Sequence, residues 1–132
     1  MPSSNTLLKP EVKQVVDAIV LALPEMVNHV STKPEEEVVG AVMADGFIVK
    51  LLNEAKDRTA TFAISPHQLK HLDSLVAVYH SHPGGSEMMS AADERGLNPI
   101  NAVVVTTEAV VLWWYHELVG YHRVWDLYYG IE

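Results

Sequence analysis

The sequence predicts an α/β or α+β fold, with a mixed β-sheet of about six to seven strands flanked by helices. Three observations predict it. Short, valine-rich runs bounded by turn residues dominate the middle and end of the chain. Helical patterns occur at three separated points. One run, LVAVYHSH from Leu75 to His82, is apolar almost to its end, as suits a central strand buried on both faces.

Val12, Val15, Val16, Ile19 and Leu23 recur at the spacing of one helical face, and Pro10 suits the first turn, where a missing N–H is harmless. The helical region spans about 9–32, and Pro24 is expected to end or kink the helix. Pro34 and the acidic run Glu35 to Glu37 lead into the strand EVVGAVM, and Asp45-Gly46 turns the chain into its partner, GFIVKLL. TATFAI, Thr59 to Ile64, reads as a third strand. Ser65-Pro66 then reads as the N-cap and first position of a short helix over His67 to Leu72. After the central strand a helix is expected from Ser90. NAVVVTT, AVVLWWY and LVGYHRVWDL complete the strand set.

The chain has 132 residues, of which 48% are hydrophobic and 20% charged, which fits a single domain (1–132) with a core spanning about 36–126. A net charge of −8 disfavours nucleic acid, whose binding relies on Lys and Arg displacing counterions. A protein or peptide partner suits the charge better. Without cysteine, no disulfide or thiolate metal site exists, and the P-C-x-x-C ligands of a zinc nucleoside deaminase cannot be built. The start, MPSSNTLLKPEV, lacks a basic region, apolar run and cleavage site, and no run is long enough to span a bilayer. No membrane association and a cytoplasmic location are expected.

The chemistry concentrates in VYHSHPGGSEMMSAADE, Val78 to Glu94. Residues i and i+2 of a strand share a face, so His80 and His82 project together, about 7 Å apart along the backbone. Pro83-Gly84-Gly85 must turn, and the six residues between Pro83 and Ser90 can fold the chain back to offer Asp93. Two histidines and one carboxylate leave a tetrahedral zinc with one open position, the arrangement of catalytic rather than structural sites. The same letters have a purely structural reading. Ser90-Ala91-Ala92-Asp93-Glu94 is a helix-start signature, and an isolated His-x-His on a strand is usually no ligand pair. His67 and His71, four apart, lack a carboxylate spaced to join them, and Trp113-Trp114 reads as strand packing with one ring to each side. Met88-Met89 lies in the loop over the proposed metal.

His80, Ser81, His82, Pro83, Ser90 and Asp93 together resemble the signature of the JAMM (MPN+) zinc metalloproteases, whose cytidine-deaminase-like fold agrees with the element order above. The family also carries an upstream glutamate in an E-x-x-G context, which Glu37-Val38-Val39-Gly40 fits. The resemblance implies Zn2+ on His80, His82 and Asp93, Glu37 as general base and Ser90 as a donor to the tetrahedral intermediate. From Phe62 to Asp93 the sequence is similar to the N-terminal peptidase domain of phage lambda-type tail assembly protein K. The implied substrate is a protein or peptide, with a ubiquitin-like protein or a phage tail protein as the two settings; a phage or prophage origin would mean the host cytoplasm. The reading from another functional class is a non-catalytic MPN-type module in phage tail assembly.

Overall fold

The computed structural model describes residues 8–97 and 99–129; the leader reading, made on residues 1–12, falls largely outside them. Its elements run α1 (Pro10–Ser31), β1 (Val39–Met43), β2 (Ile48–Leu51), α2 (Pro66–Leu69), β3 (Leu75–Ser81), α3 (Ala91–Leu97), β4 (Ala102–Val105), β5 (Ala109–His116) and β6 (Gly120–Tyr128). The strands form one sheet in the order β2-β1-β3-β4-β5-β6. All neighbours are antiparallel except β3 and β4, which α3 connects in parallel. No helix among the described residues is long and apolar enough to cross a membrane.

Alternation along the strands divides the core into two. On one face Val42, Ala77, Tyr79, Val103 and Leu112 pack against the Val12, Val16, Ile19, Ala22 and Met26 stripe of α1. On the other, Val39, Val78, Val104 and Val111 pack with Phe62, Met89 and Leu97 from the loops and α3. Trp113 joins the second cluster and Trp114 the first, so the two rings do lie on opposite faces. β3 is central, its last five residues buried, as its unbroken apolar run requires.

Three expectations need correction. α1 does not end at Pro24 but continues to Ser31. The carbonyl left without its usual donor belongs to Val20, a residue 48% exposed, so water can serve it. TATFAI forms no strand. Asp57 captures its backbone instead, taking the Thr59 N–H on its carboxylate at 3.1 Å and the Thr61 N–H on its carbonyl at 3.2 Å. The segment is then tied to the sheet by Asn53, whose amide donates to the carbonyls of Glu37 and Thr61 and accepts from the N–H groups of Ala55 and Ala63. Ser65 precedes α2 in extended conformation, but its hydroxyl donates to Glu54 at 3.0 Å and caps nothing.

Beneath α1 lies a polar contact absent from the hydrophobic pattern. His29 Nδ1 is 2.5 Å from the Tyr79 hydroxyl, and both side chains are buried. Tyr79 faces Gly40 across the β1–β3 pair, and its ring occupies the space where a side chain at Gly40 would stand. Gly40→Ala is therefore expected to cost about 1–3 kcal/mol through overpacking, measured as a lower denaturation midpoint. Burial first, and then the charges of Lys50 and Lys33, holds His29 below its ordinary pKa of 6.5. The unfolded chain thus binds the proton more readily, so this contribution to stability is full above about pH 6.5 and is lost as the pH falls below it. Melting temperatures taken from about pH 7.5 down to about pH 5 should fall less steeply for His29→Gln than for the unaltered chain.

Candidate metal centre

Val39 stands opposite His80 in the β1–β3 ladder. Two residues further along the same register, Glu37 falls opposite His82. Cross-strand partners share a face, as do residues two apart, so Glu37, His80 and His82 project together. Ser81, on the opposite face, closes the end of the ladder: its Oγ accepts the Val38 N–H at 2.8 Å and donates to the Glu36 carbonyl at 3.2 Å. Glu37 is buried, whereas Glu35 is exposed and Glu36 lies 3.4 Å from Arg58.

After His82 the chain turns at Pro83, with Gly85 at φ +85° and its N–H on the His82 carbonyl. It returns at Ser90, where α3 begins with reciprocal hydrogen bonds. Ser90 Oγ accepts the Asp93 N–H, and Asp93 Oδ2 accepts the Ser90 N–H, both at 3.0 Å. The helix-cap and ligand readings of this segment are therefore compatible: the cap that starts α3 also aims Asp93.

Four side chains converge: Glu37, His80, His82 and Asp93 each place a donor atom within 4.8 Å of the others. His80 Nε2 lies 3.0 Å from His82 Nε2, and Asp93 Oδ2 lies 3.2 Å and 3.0 Å from those two atoms. Bonds of 2.0–2.1 Å in a tetrahedral shell place donors about 3.3 Å apart, so this triangle fits a divalent cation. His82 Nδ1 donates to the Ser86 carbonyl at 2.8 Å, which leaves Nε2 as the nitrogen that faces the triangle and would ligate a cation there. Phe62 stacks beside His80, ring centroids 4.5 Å apart, and limits how that ring can turn. Glu37 Oε1 is buried with no hydrogen-bond partner, as befits a group with a task outside the fold itself.

The electrostatics separate the two carboxyl groups. Burial, opposed by His82 and reinforced by Asp93, raises Glu37 to a pKa of about 7. Burial would raise Asp93 too, but hydrogen bonds from His80 and His82 prevail and hold it well below the ordinary carboxylate range. Burial lowers His80 and keeps its imidazole neutral, the form that binds metals.

The sequence matches the family of prokaryotic homologs of the JAB domain, Prok-JAB, over residues 21–124. The chain belongs to the Prok-JAB family. Its first helical turns precede the matched region, and all four clustered residues lie within it. The Prok-JAB fold is similar to the solution structure of protein DSY2949 from Desulfitobacterium hafniense, with a TM-score of 0.58 and 17% identity over 77% of this chain and 84% of that one. No curated protein is matched.

The structure also ranks the other candidates. His67 and His71 are exposed, and neither joins a metal-type cluster among the described residues. Met89 is buried while Met88 is 59% exposed, and both line a cleft of about 310 Å3 with Glu37, His82, Pro83 and Ser90. Asn53 and Phe62 are the supporting residues whose roles were hidden in the sequence, because each acts through a loop conformation that no periodicity encodes. The purified protein should take up about one divalent cation per chain by elemental analysis and melt at a higher temperature when loaded. His82→Ala and Asp93→Ala should abolish both effects.

Proposed function

We propose that this Prok-JAB protein is a JAMM-type zinc metallopeptidase or isopeptidase that hydrolyses an amide bond. One observation carries the reading: a buried glutamate, unpartnered at Oε1 and raised to about 7, shares one cluster with two histidines and an aspartate. Two imidazoles and a carboxylate are a donor set that zinc favours, and His80, His82 and Asp93 would hold it. When bound, zinc lowers the pKa of water toward neutrality and polarises a carbonyl.

The remaining work falls to the chain's own groups. Glu37 takes a proton from the attacking water and passes it to the leaving amine nitrogen, acting as base and then as acid. The Ser90 oxygen already accepts the Asp93 N–H, so its own proton remains to be donated into the cleft, toward the oxygen of the scissile carbonyl. A second groove, about 620 Å3 between the end of α1, β2 and the loop at Arg58, also reaches Glu37. Two clefts that both reach Glu37 suit an extended chain bound along the site. That supports a protein or peptide substrate, with a ubiquitin-like or phage tail protein as the class to test.

Glu37→Gln is expected to keep the metal while cleavage of a peptide or ubiquitin-like fusion falls about a hundredfold or more. Unchanged cleavage would remove Glu37 from the chemistry. Stoichiometric zinc uptake with no cleavage of either substrate type would favour the non-catalytic assembly module instead.

A further inference from the structure

Between His82 and Ser90 the chain leaves the sheet, and side chains with no part in the proposed hydrolysis hold the middle of this loop. The Glu87 carbonyl accepts the Trp113 indole N–H at 3.0 Å. The Glu87 carboxylate accepts Arg123 Nη2 at 3.0 Å and the Tyr128 hydroxyl at 2.8 Å. Arg123 is held in turn by Asp126, through Nε at 3.1 Å and Nη2 at 2.8 Å. The loop is thus tied at one residue to both β5 and β6.

The residue before this anchor is Ser86, whose carbonyl fixes the proton on His82 Nδ1. The loop's own hydrogen bonds, the Gly85 N–H on the His82 carbonyl and the Met88 N–H on Ser86 Oγ at 3.2 Å, do not involve that carbonyl. Gly84 and Gly85 have open space where side chains would stand, and Ser86 is exposed. What holds Glu87 therefore holds the Ser86 carbonyl, and what holds that carbonyl keeps the Nδ1 proton in place and leaves His82 Nε2 as the nitrogen offered to a cation shared with His80 and Asp93.

We infer that Glu87 is a positioning residue for metal capture: its tether to Arg123, Tyr128 and Trp113 fixes the Ser86 carbonyl, which sets the tautomer and aim of His82. The inference rests on His82 being a metal ligand. Groups that orient a ligating histidine are worth about 10–100-fold in metal affinity, and Glu87 acts one residue removed, so about a tenfold loss is expected for Glu87→Ala.

The test is zinc affinity of the full chain by competition with a fluorescent chelator, with melting of the zinc-free protein and 15N spectra of the histidine rings alongside. Glu87→Ala should bind zinc about tenfold more weakly, while the zinc-free protein melts within roughly 2 °C of the unaltered chain, because a partly exposed ion pair contributes little to stability. Its His82 ring should shift from the Nδ1–H form toward a mixture of tautomers. Glu87→Gln keeps an acceptor oxygen and should stay within about threefold of the unaltered affinity. Arg123→Met should follow Glu87→Ala, and it carries the test should the first variant fold poorly. Unchanged affinity and an unchanged His82 tautomer in Glu87→Ala and Arg123→Met would overturn the tether. His82→Ala separates the two readings, because unchanged zinc affinity in that variant overturns the metal centre itself.

Discussion

Where β1 and β3 end side by side, Val39 stands opposite His80, and continuing the same register sets Glu37 against His82. Side chains alternate along a strand, so a slip of one residue would turn every one of these groups to the opposite face. The face they use is the one α1 does not cover, open to the cleft at the carboxyl end of β3. Parallel β3 and β4 need a crossover, and α3 within that crossover brings Asp93 back over the strand end. The site is therefore a consequence of strand pairing and of one βαβ connection rather than of any single loop.

Burying ionisable groups is costly unless each finds a partner, and the local chemistry follows from that cost. Asp93 is satisfied by the α3 cap and two imidazoles and stays ionised. Glu37 gains no such partner at Oε1, and burial raises its pKa instead. Two carboxyl groups within one cluster are thereby driven apart in acidity. Such a division is what the proposed chemistry needs, in which one carboxyl group binds charge and the other moves protons.

The opposite face of β3 shows why the glutamate's context includes a glycine. Tyr79 is fully buried under α1, its hydroxyl joined to His29, and its ring rests where a side chain on Gly40 would project. Gly40 thus permits a close β1–β3 pairing beside a large aromatic ring. That pairing sets the position of Glu37 three residues earlier. Packing on the helical side and geometry on the side of the metal-type cluster are linked through β3, whose alternate side chains serve the two faces.

Much of this was legible in the sequence, because it depends on periodicities that neighbouring residues set by themselves. The apolar stripe of α1, the unbroken run of β3, the Asp45-Gly46 turn and the capped start of α3 are local patterns, and His80, His82, Ser90 and Asp93 sit at fixed points within them. The failures were also local patterns, overruled by contacts from elsewhere. TATFAI has strand-forming residues, yet Asp57 takes its N–H groups, and Ser65 loses its capping role to Glu54. By itself the sequence determined which residue types stood ready for metal and proton chemistry. Only the tertiary structure decided that Glu37, already picked out by its E-x-x-G context, is buried beside the histidines, that Asn53 and Phe62 support the site, and that Glu87 reaches across to β6. Those choices depend on contacts between segments 16 to 43 residues apart, and no local periodicity carries that information.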